Sequence, residues 1–217
     1  MQNIIIAGAN GNLGRSVVAA FSQKDFFLNL VERNTTQNTP SQKIFSIDVT
    51  DANAVRQMIS DIVNTKGNID MAINLVGMYA PGNIDKTTAA DVEKMMQVNF
   101  YSAVHFANAL LPHFKNAGKG KFIFIGAKGA MNAAAAKHNV AYALSKQALY
   151  SYADMINRTE NSNNISAHIF LPTTIDTEAN RKEMPNADFS KWISPALMAK
   201  DMLAIADGSD DRLVVGY

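Results

Sequence analysis

The chain has no cysteine, which excludes disulfide staples and thiolate nucleophiles and fits a reducing compartment. Its four histidines show no HxxxH spacing, so no metal site is expected. An excess of charge is also missing: 20 basic residues face 19 acidic ones, for a net +1. Neither nucleic acid nor an anionic membrane is therefore an expected partner. No apolar run reaches the ~18 residues of a membrane span. The start, MQNIIIAGANG, lacks the basic, apolar and cleavable segments of a secretory leader. Together these absences predict a soluble, cytoplasmic protein.

What is present is a globular composition. The 217 residues are 47% hydrophobic and 18% charged, enough for one domain with a substantial core. Short β-rich apolar runs alternate with longer helical patterns. Strands are predicted at 3–7, 26–31, 43–47, 71–75, 121–126, 166–170 and 212–215, and helices at 13–22, 52–64, 89–114, 141–157 and 195–206. The runs IIIA, FIFI and HIFL are apolar without alternation, as in strands covered on both faces. This order predicts the α/β class: a single doubly wound parallel sheet, Rossmann-type, with helices on both faces. Residues 33–42 read as an exposed loop and 173–194 as a lid over a site, within one domain spanning 1–217.

Between the first strand and a helix lies Gly8-Ala-Asn10-Gly11-Asn12-Leu13-Gly14. Glycines there permit a tight turn and let backbone N–H groups meet a pyrophosphate at a helix N-terminus. The spacing is GxxGxxG rather than GxGxxG, a weak signal that its position strengthens. A dinucleotide site wants an acidic residue about 20 positions on. Glu32, ending FFLNLV, meets that need and favours NADH, because a carboxylate repels a 2′-phosphate. Arg33 follows and keeps NADPH possible; the pair also reads as a solvated loop. Asp48 and Val49 end the third strand, where an adenine edge would lie. Asn74, Leu75 and Gly77 end the fourth, and read equally well as strand termini.

Tyr142 and Lys146 stand four apart in YALSK, on one face of a predicted helix. An ammonium beside a phenol favours the phenolate, making an acid/base pair for work near neutral pH. The bland alternative is a packed aromatic beside a snorkelling amine. From Ile125 to Ala141 there is no serine or threonine hydroxyl that could hold a substrate oxygen.

GANGNLG, DVTD, NLVG, Asn99 in MMQVNFYSA, YALSK and LPTTIDT occur in one order over nearly the whole chain. In this the sequence resembles the short-chain dehydrogenases/reductases. The resemblance implies that Tyr142 exchanges the substrate proton and that Lys146 binds the nicotinamide ribose and lowers the tyrosine pKa. It further implies that Asn99 holds a relay water and that Pro172, Ile175 and Thr177 grip the carboxamide. A homodimer or homotetramer formed through the two long helices is implied as well. The family's usual serine is Ala127 here. GAKGAM, GMYAPGN and LPTTIDTEANRKEMPNADFSKWISP are similar to the dihydropteridine reductase branch, which lacks that serine. On this reading the substrate is a small conjugated molecule, a quinonoid dihydropteridine first among candidates, with Tyr79 stacking on it and Trp192 capping or anchoring the lid. Another carbonyl or quinone substrate, and a non-catalytic dinucleotide sensor, are the rival readings. His138, Arg181 and Lys182 read as surface residues.

Overall fold

A computed structural model describes residues 1–32 and 38–217. Its centre is a seven-stranded parallel sheet in the order β3-β2-β1-β4-β5-β6-β7. The strands are β1 (Gln2–Ala7), β2 (Phe26–Glu32), β3 (Gln42–Ser46), β4 (Met71–Asn74), β5 (Gly120–Ile125), β6 (Ile165–Leu171) and β7 (Val214–Gly216). The helices are α1 (Asn12–Phe21), α2 (Ala52–Lys66), α3 (Ala89–Met96), α4 (Ser102–Ala117), α5 (Ala133–Ala136), α6 (Val140–Glu160), α7 (Glu178–Glu183) and α8 (Pro195–Asp207).

Side chains alternate across each strand, and the IIIA run feeds two cores. Ile5 and Ala7 pack with Val55 and Ile59 of α2, Phe106 and Leu110 of α4, and Leu149 and Ala153 of α6. Ile4 and Ile6 pack on the other face with Val17 and Phe21 of α1 and Met198 and Met202 of α8. Both faces are covered, so every position of the IIIA run is apolar. Burying each such side chain contributes about 1.5–3 kcal/mol. Local signals set the helix starts. Asp51 accepts from the amides of Asn53 and Ala54 to cap α2, Thr88 and Asp91 form a capping box on α3, and Ser194 caps α8 ahead of Pro195.

The predicted doubly wound sheet is present, with helices on both faces. The short helices α5 and α7 were not predicted, and two predicted elements depart from expectation for visible reasons. The helix predicted over 89–114 is broken by a π-turn at Gln97–Tyr101, because Asn99 and Ser102 are drawn inward to polar partners. The last strand begins at Val214, not Arg212. The Arg212 carbonyl is turned to His168 Nδ1 at 2.8 Å and its guanidinium to Asp210, which takes it off the ladder. Strand order reverses between β1 and β4, and the crevice at their C-terminal ends is where such sheets place ligands.

Candidate active site

Gly8 leaves β1 at φ +80°, a conformation open to glycine, and its N–H donates to Val31 O at 2.9 Å. At Gly14, inside α1, a Cβ would fall 2.1 Å from Gly8 O, so helix and turn meet backbone to backbone. Gly11, the N-cap, supplies no side-chain acceptor to the first turn of α1, whose N–H groups have no partner within the helix. Arg15 braces the loop through Asn10 O and Asn12 Oδ1, each at 3.0 Å.

A cavity of about 530 Å³ opens beside this turn, within the size of small-molecule and cofactor sites. Of the predicted residues, Gly8, Asn10, Gly11, Glu32, Asp48, Val49, Leu75 and Gly77 line it. So do Val31, Ile47, Thr50, Val76, Met78 and Val98, which sequence reasoning missed; each adjoins a residue it named. Thr50 is held by Asp48 Oδ1, which accepts from its amide at 2.9 Å and its hydroxyl at 2.8 Å. Asn12, Leu13 and Gly14 lie outside this lining, and Arg33 lies outside the described residues. Asn74 is buried; its amide donates to Ser102 Oγ at 3.0 Å and accepts from Val76 N–H at 3.1 Å. It braces the strand end.

Helix α6 carries Tyr142 and Lys146 to the near end of the crevice. Lys146 is buried, and its Nζ donates to Ile125 O at 2.7 Å. Gly77 lies against it: a Cβ there would stand 3.4 Å from that Nζ. The Tyr142 ring meets the Tyr79 ring edge-on at 5.1 Å and packs on a cluster of Ala127, Ala130, Ala136 and Ala143. Lys146 Nζ is 5.8 Å from the Tyr142 ring centre. Burial, with Tyr79 adding to it, pushes the Tyr142 phenol up to about 12, and burial pushes Lys146 down to about 8. This corrects the expectation that the lysine lowers the phenol. Lys146 is directed at a backbone carbonyl, and desolvation dominates both groups. At neutral pH the pair is a phenol with its proton beside an ammonium.

Asn99 ties the two halves together. Its Oδ1 accepts from Met78 N–H at 2.7 Å, and its Nδ2 donates to Met78 O and to Ser145 Oγ, each at 2.9 Å. Ser145, also missed though it lies within YALSK, donates onward to Tyr142 O at 2.7 Å. Both amide hydrogens of Asn99 are thus used within the protein, and its side chain fixes the Met78 loop to α6. π-turns of this kind recur at functional sites.

Segment 173–194 is pinned at its base by a bridge between Ile175 and Ile193. Pro172 O accepts from Lys128 N–H at 2.9 Å, and the Thr177 hydroxyl caps α7 by accepting from Asn180 N–H. None of Pro172, Ile175 and Thr177 lines the 530 Å³ cavity. Arg181 clamps Asp176 bidentately at 2.6 and 2.7 Å and lies 4.7 Å over the Phe189 ring. That ring sits 4.7 Å from Trp192, which the segment holds by packing. His138 Nδ1 is 3.0 Å from Asn83 Oδ1.

Among known proteins, the family described as short chain dehydrogenase matches residues 2–188. A dihydropteridine reductase of Dictyostelium discoideum is 28% identical, over 97% of this chain and 90% of its own. A 3-ketodihydrosphingosine reductase of Bacteroides thetaiotaomicron is also 28% identical, over 71% of this chain and 57% of its own length. The solved structure "ElxO with NADP Bound" superposes with a TM-score of 0.89 at 19% identity, over 99% of this chain and 96% of that one. At that identity the likeness speaks for the fold alone.

Proposed function

The chain belongs to the short-chain dehydrogenase family of oxidoreductases, and from that premise we propose that it reduces a small conjugated substrate, a quinonoid dihydropteridine, using NADH. The observation that carries the substrate class is the alanine cluster at Tyr142. Where a carbonyl reductase needs a hydroxyl on the substrate oxygen, this chain has Ala127 among Ala130, Ala136 and Ala143. A hydrogen bond that polarises a reacting oxygen is worth roughly 2.7–4 kcal/mol, and a ketone would forgo it here. An electron-poor conjugated imine does without it. The likeness to the Dictyostelium dihydropteridine reductase over most of both chains supports this choice.

The crevice fits a nicotinamide dinucleotide on three observations. Gly14 leaves no room for a side chain between α1 and the turn, α1 has no side-chain cap, and the cavity wall includes both Glu32 and Gly77. Gly8, Gly11 and the first turn of α1 hold the pyrophosphate, Glu32 the adenosine ribose, Asp48 and Val49 the adenine, and Lys146 the nicotinamide ribose. NADH, when bound, supplies a hydride. Glu32 disfavours a 2′-phosphate, and NADPH is the second cofactor in preference.

Tyr142 delivers the accompanying proton, which its phenol retains throughout the neutral range. Lys146 holds positive charge beside it, and the Asn99–Ser145 pair fixes its helix. Tyr79 stacks on the flat ring, a contact worth ~0.5–1.5 kcal/mol beyond burial. Segment 173–194, which follows Pro172 and carries Ile175, Thr177 and Trp192, acts as the lid of a one-domain enzyme, and two copies pair through α4 and α6.

The test is NADH oxidation with quinonoid dihydropterin generated in place. Turnover should fall about 10²–10⁴-fold in Tyr142→Phe, the range for loss of a general acid, with NADH binding kept. A carbonyl substrate is the second reading, favoured by the likeness to the Bacteroides keto-reductase. Turnover of ketones with none of quinonoid pterins would replace the first reading with the second.

A further inference from the structure

Met78 lines two cavities. One is the crevice above; the other, of about 540 Å³, lies between the loop after β4 and helix α3 and reaches Ala141, next to Tyr142. Tyr79 forms part of its wall while its ring touches Tyr142. A ring stacked on Tyr79 therefore has this second cavity beside it. Its apolar lining comes from Met78, Pro81 and Met95, and its charges are Lys86, Lys94 and Asp91.

The three charges are not equivalent. Asp91 is committed to the fold: its Oδ2 accepts from Thr88 N–H at 2.9 Å and Thr88 Oγ at 2.7 Å, closing the capping box of α3. Hydrogen bonds from the Thr88 backbone and hydroxyl, and then the field of Lys94, hold its carboxyl below the ordinary range. Lys86 and Lys94 have no carboxylate within salt-bridge distance among the described residues. Lys115, Lys119, Lys182 and Lys191 by contrast each pair with one. Two ammoniums against one engaged carboxylate leave this cavity net positive, beside an apolar wall and the reactive phenol.

Building on the proposed reduction at Tyr142, we infer that the substrate carries an anionic arm, a carboxylate or phosphate on a short tether, which Lys86 and Lys94 receive in this cavity while the flat ring lies at Tyr79. The cavity thus adds a specificity-determining pair to the site. Surface-exposed charge pairs of this kind change affinity by roughly two- to fivefold each at low salt, on the order of tenfold for two. The preference should weaken as ionic strength rises.

The experiment compares neutral and anionic congeners in two ways. KM is measured for quinonoid 6-methyl-dihydropterin and for a 6-carboxyalkyl congener. In parallel, quenching of pterin fluorescence titrates 6-methylpterin and 6-carboxypterin onto the NADH-loaded protein. Wild type should prefer the anionic member of each pair by about tenfold in 20 mM salt. Lys86→Gln/Lys94→Gln should bring that ratio toward one, and Lys86→Glu/Lys94→Glu should invert it. Equal affinities in wild type, or a preference that survives both double variants, would overturn the inference while leaving pterin reduction standing. Binding that prefers 6-carboxypterin with no turnover of either pterin would remove the proposed reaction and keep the anion site. If free inorganic phosphate lowers the KM of the neutral pterin to that of the anionic one, the cavity takes a separate anion, and the assignment to a substrate arm falls.

Discussion

At the scale of single residues, the site is governed by desolvation more than by pairing. Lys146 titrates near 10.4 when unfolded but is brought down to about 8 by burial, so between those values the unfolded chain binds more protons. Stability must then rise with pH from about 8 until the unfolded lysine has titrated. Tyr142 acts the opposite way. Its phenol is raised to about 12, so its contribution is whole below pH 10 and is lost as pH climbs toward 12. The unfolding free energy of wild type relative to Lys146→Met, which cannot titrate, should increase by roughly 2–3 kcal/mol from pH 7.5 to pH 10, read from urea midpoints at each pH. A flat difference would mean that the ammonium is solvated. Ala127 allows a second prediction. It is 8% exposed, packs beside Tyr142, and N-caps the turn at Lys128–Met131. Ala127→Ser should raise turnover of a simple ketone by about 100-fold, the lower end of the range for such donors, and leave quinonoid pterin turnover little changed. The tyrosine–lysine spacing was legible in YALSK. The direction of the phenol's shift was not, because it comes from burial, with Tyr79 adding to it, and both follow from how separate elements pack.

At the scale of elements, the join between β1 and α1 is the least tolerant part of the molecule. A Cβ at Gly14 would sit 2.1 Å from Gly8 O and 2.6 Å from Ala9 O, and both are backbone atoms that side-chain rotation cannot move. Gly14→Ala should cost about 3 kcal/mol, the upper end for overpacking, which for a chain of this length lowers the melting midpoint by on the order of 10 °C. NADH binding by fluorescence titration should be lost with it; an unchanged midpoint would contradict the close packing. Elements of this kind were readable because their patterns are local: IIIA and FIFI announce doubly covered strands. The π-turn was not readable. It exists because Asn99 reaches Met78 and Ser145 while Ser102 receives Asn74, and each of those partners comes from another element. Helices α5 and α7, of four and six residues, are too short for any periodicity to show. Their caps, Asn132 and Thr177, are the only local trace they leave.

At the scale of the whole molecule, the outer side of α6 raises the question of assembly. Its inner side is spent on the core through Leu149, Ala153 and Ile156 and on the site through Tyr142 and Lys146. Outward, Leu144 and Met155 are 45% and 60% exposed, three turns apart and on one stripe. Tyr101, at the end of the π-turn, is 38% exposed, and its neighbour Phe100 meets Tyr152 of α6 edge-on at 5.7 Å. Large apolar side chains so placed on two adjoining helical segments suit a self-complementary two-fold interface, consistent with the pairing through α4 and α6 proposed above. Because α6 also holds Tyr142 and Lys146, the pair proposed for catalysis, docking its outer side would stiffen the helix proposed to deliver the proton. Sedimentation equilibrium should therefore show a dimer at micromolar concentration, with a melting midpoint that rises with protein concentration. Leu144→Lys/Met155→Lys should give a folded monomer whose midpoint no longer depends on concentration. A wild-type monomer at every concentration would place these side chains among ordinary exposed apolar surface and leave α6 to be held by its own core contacts.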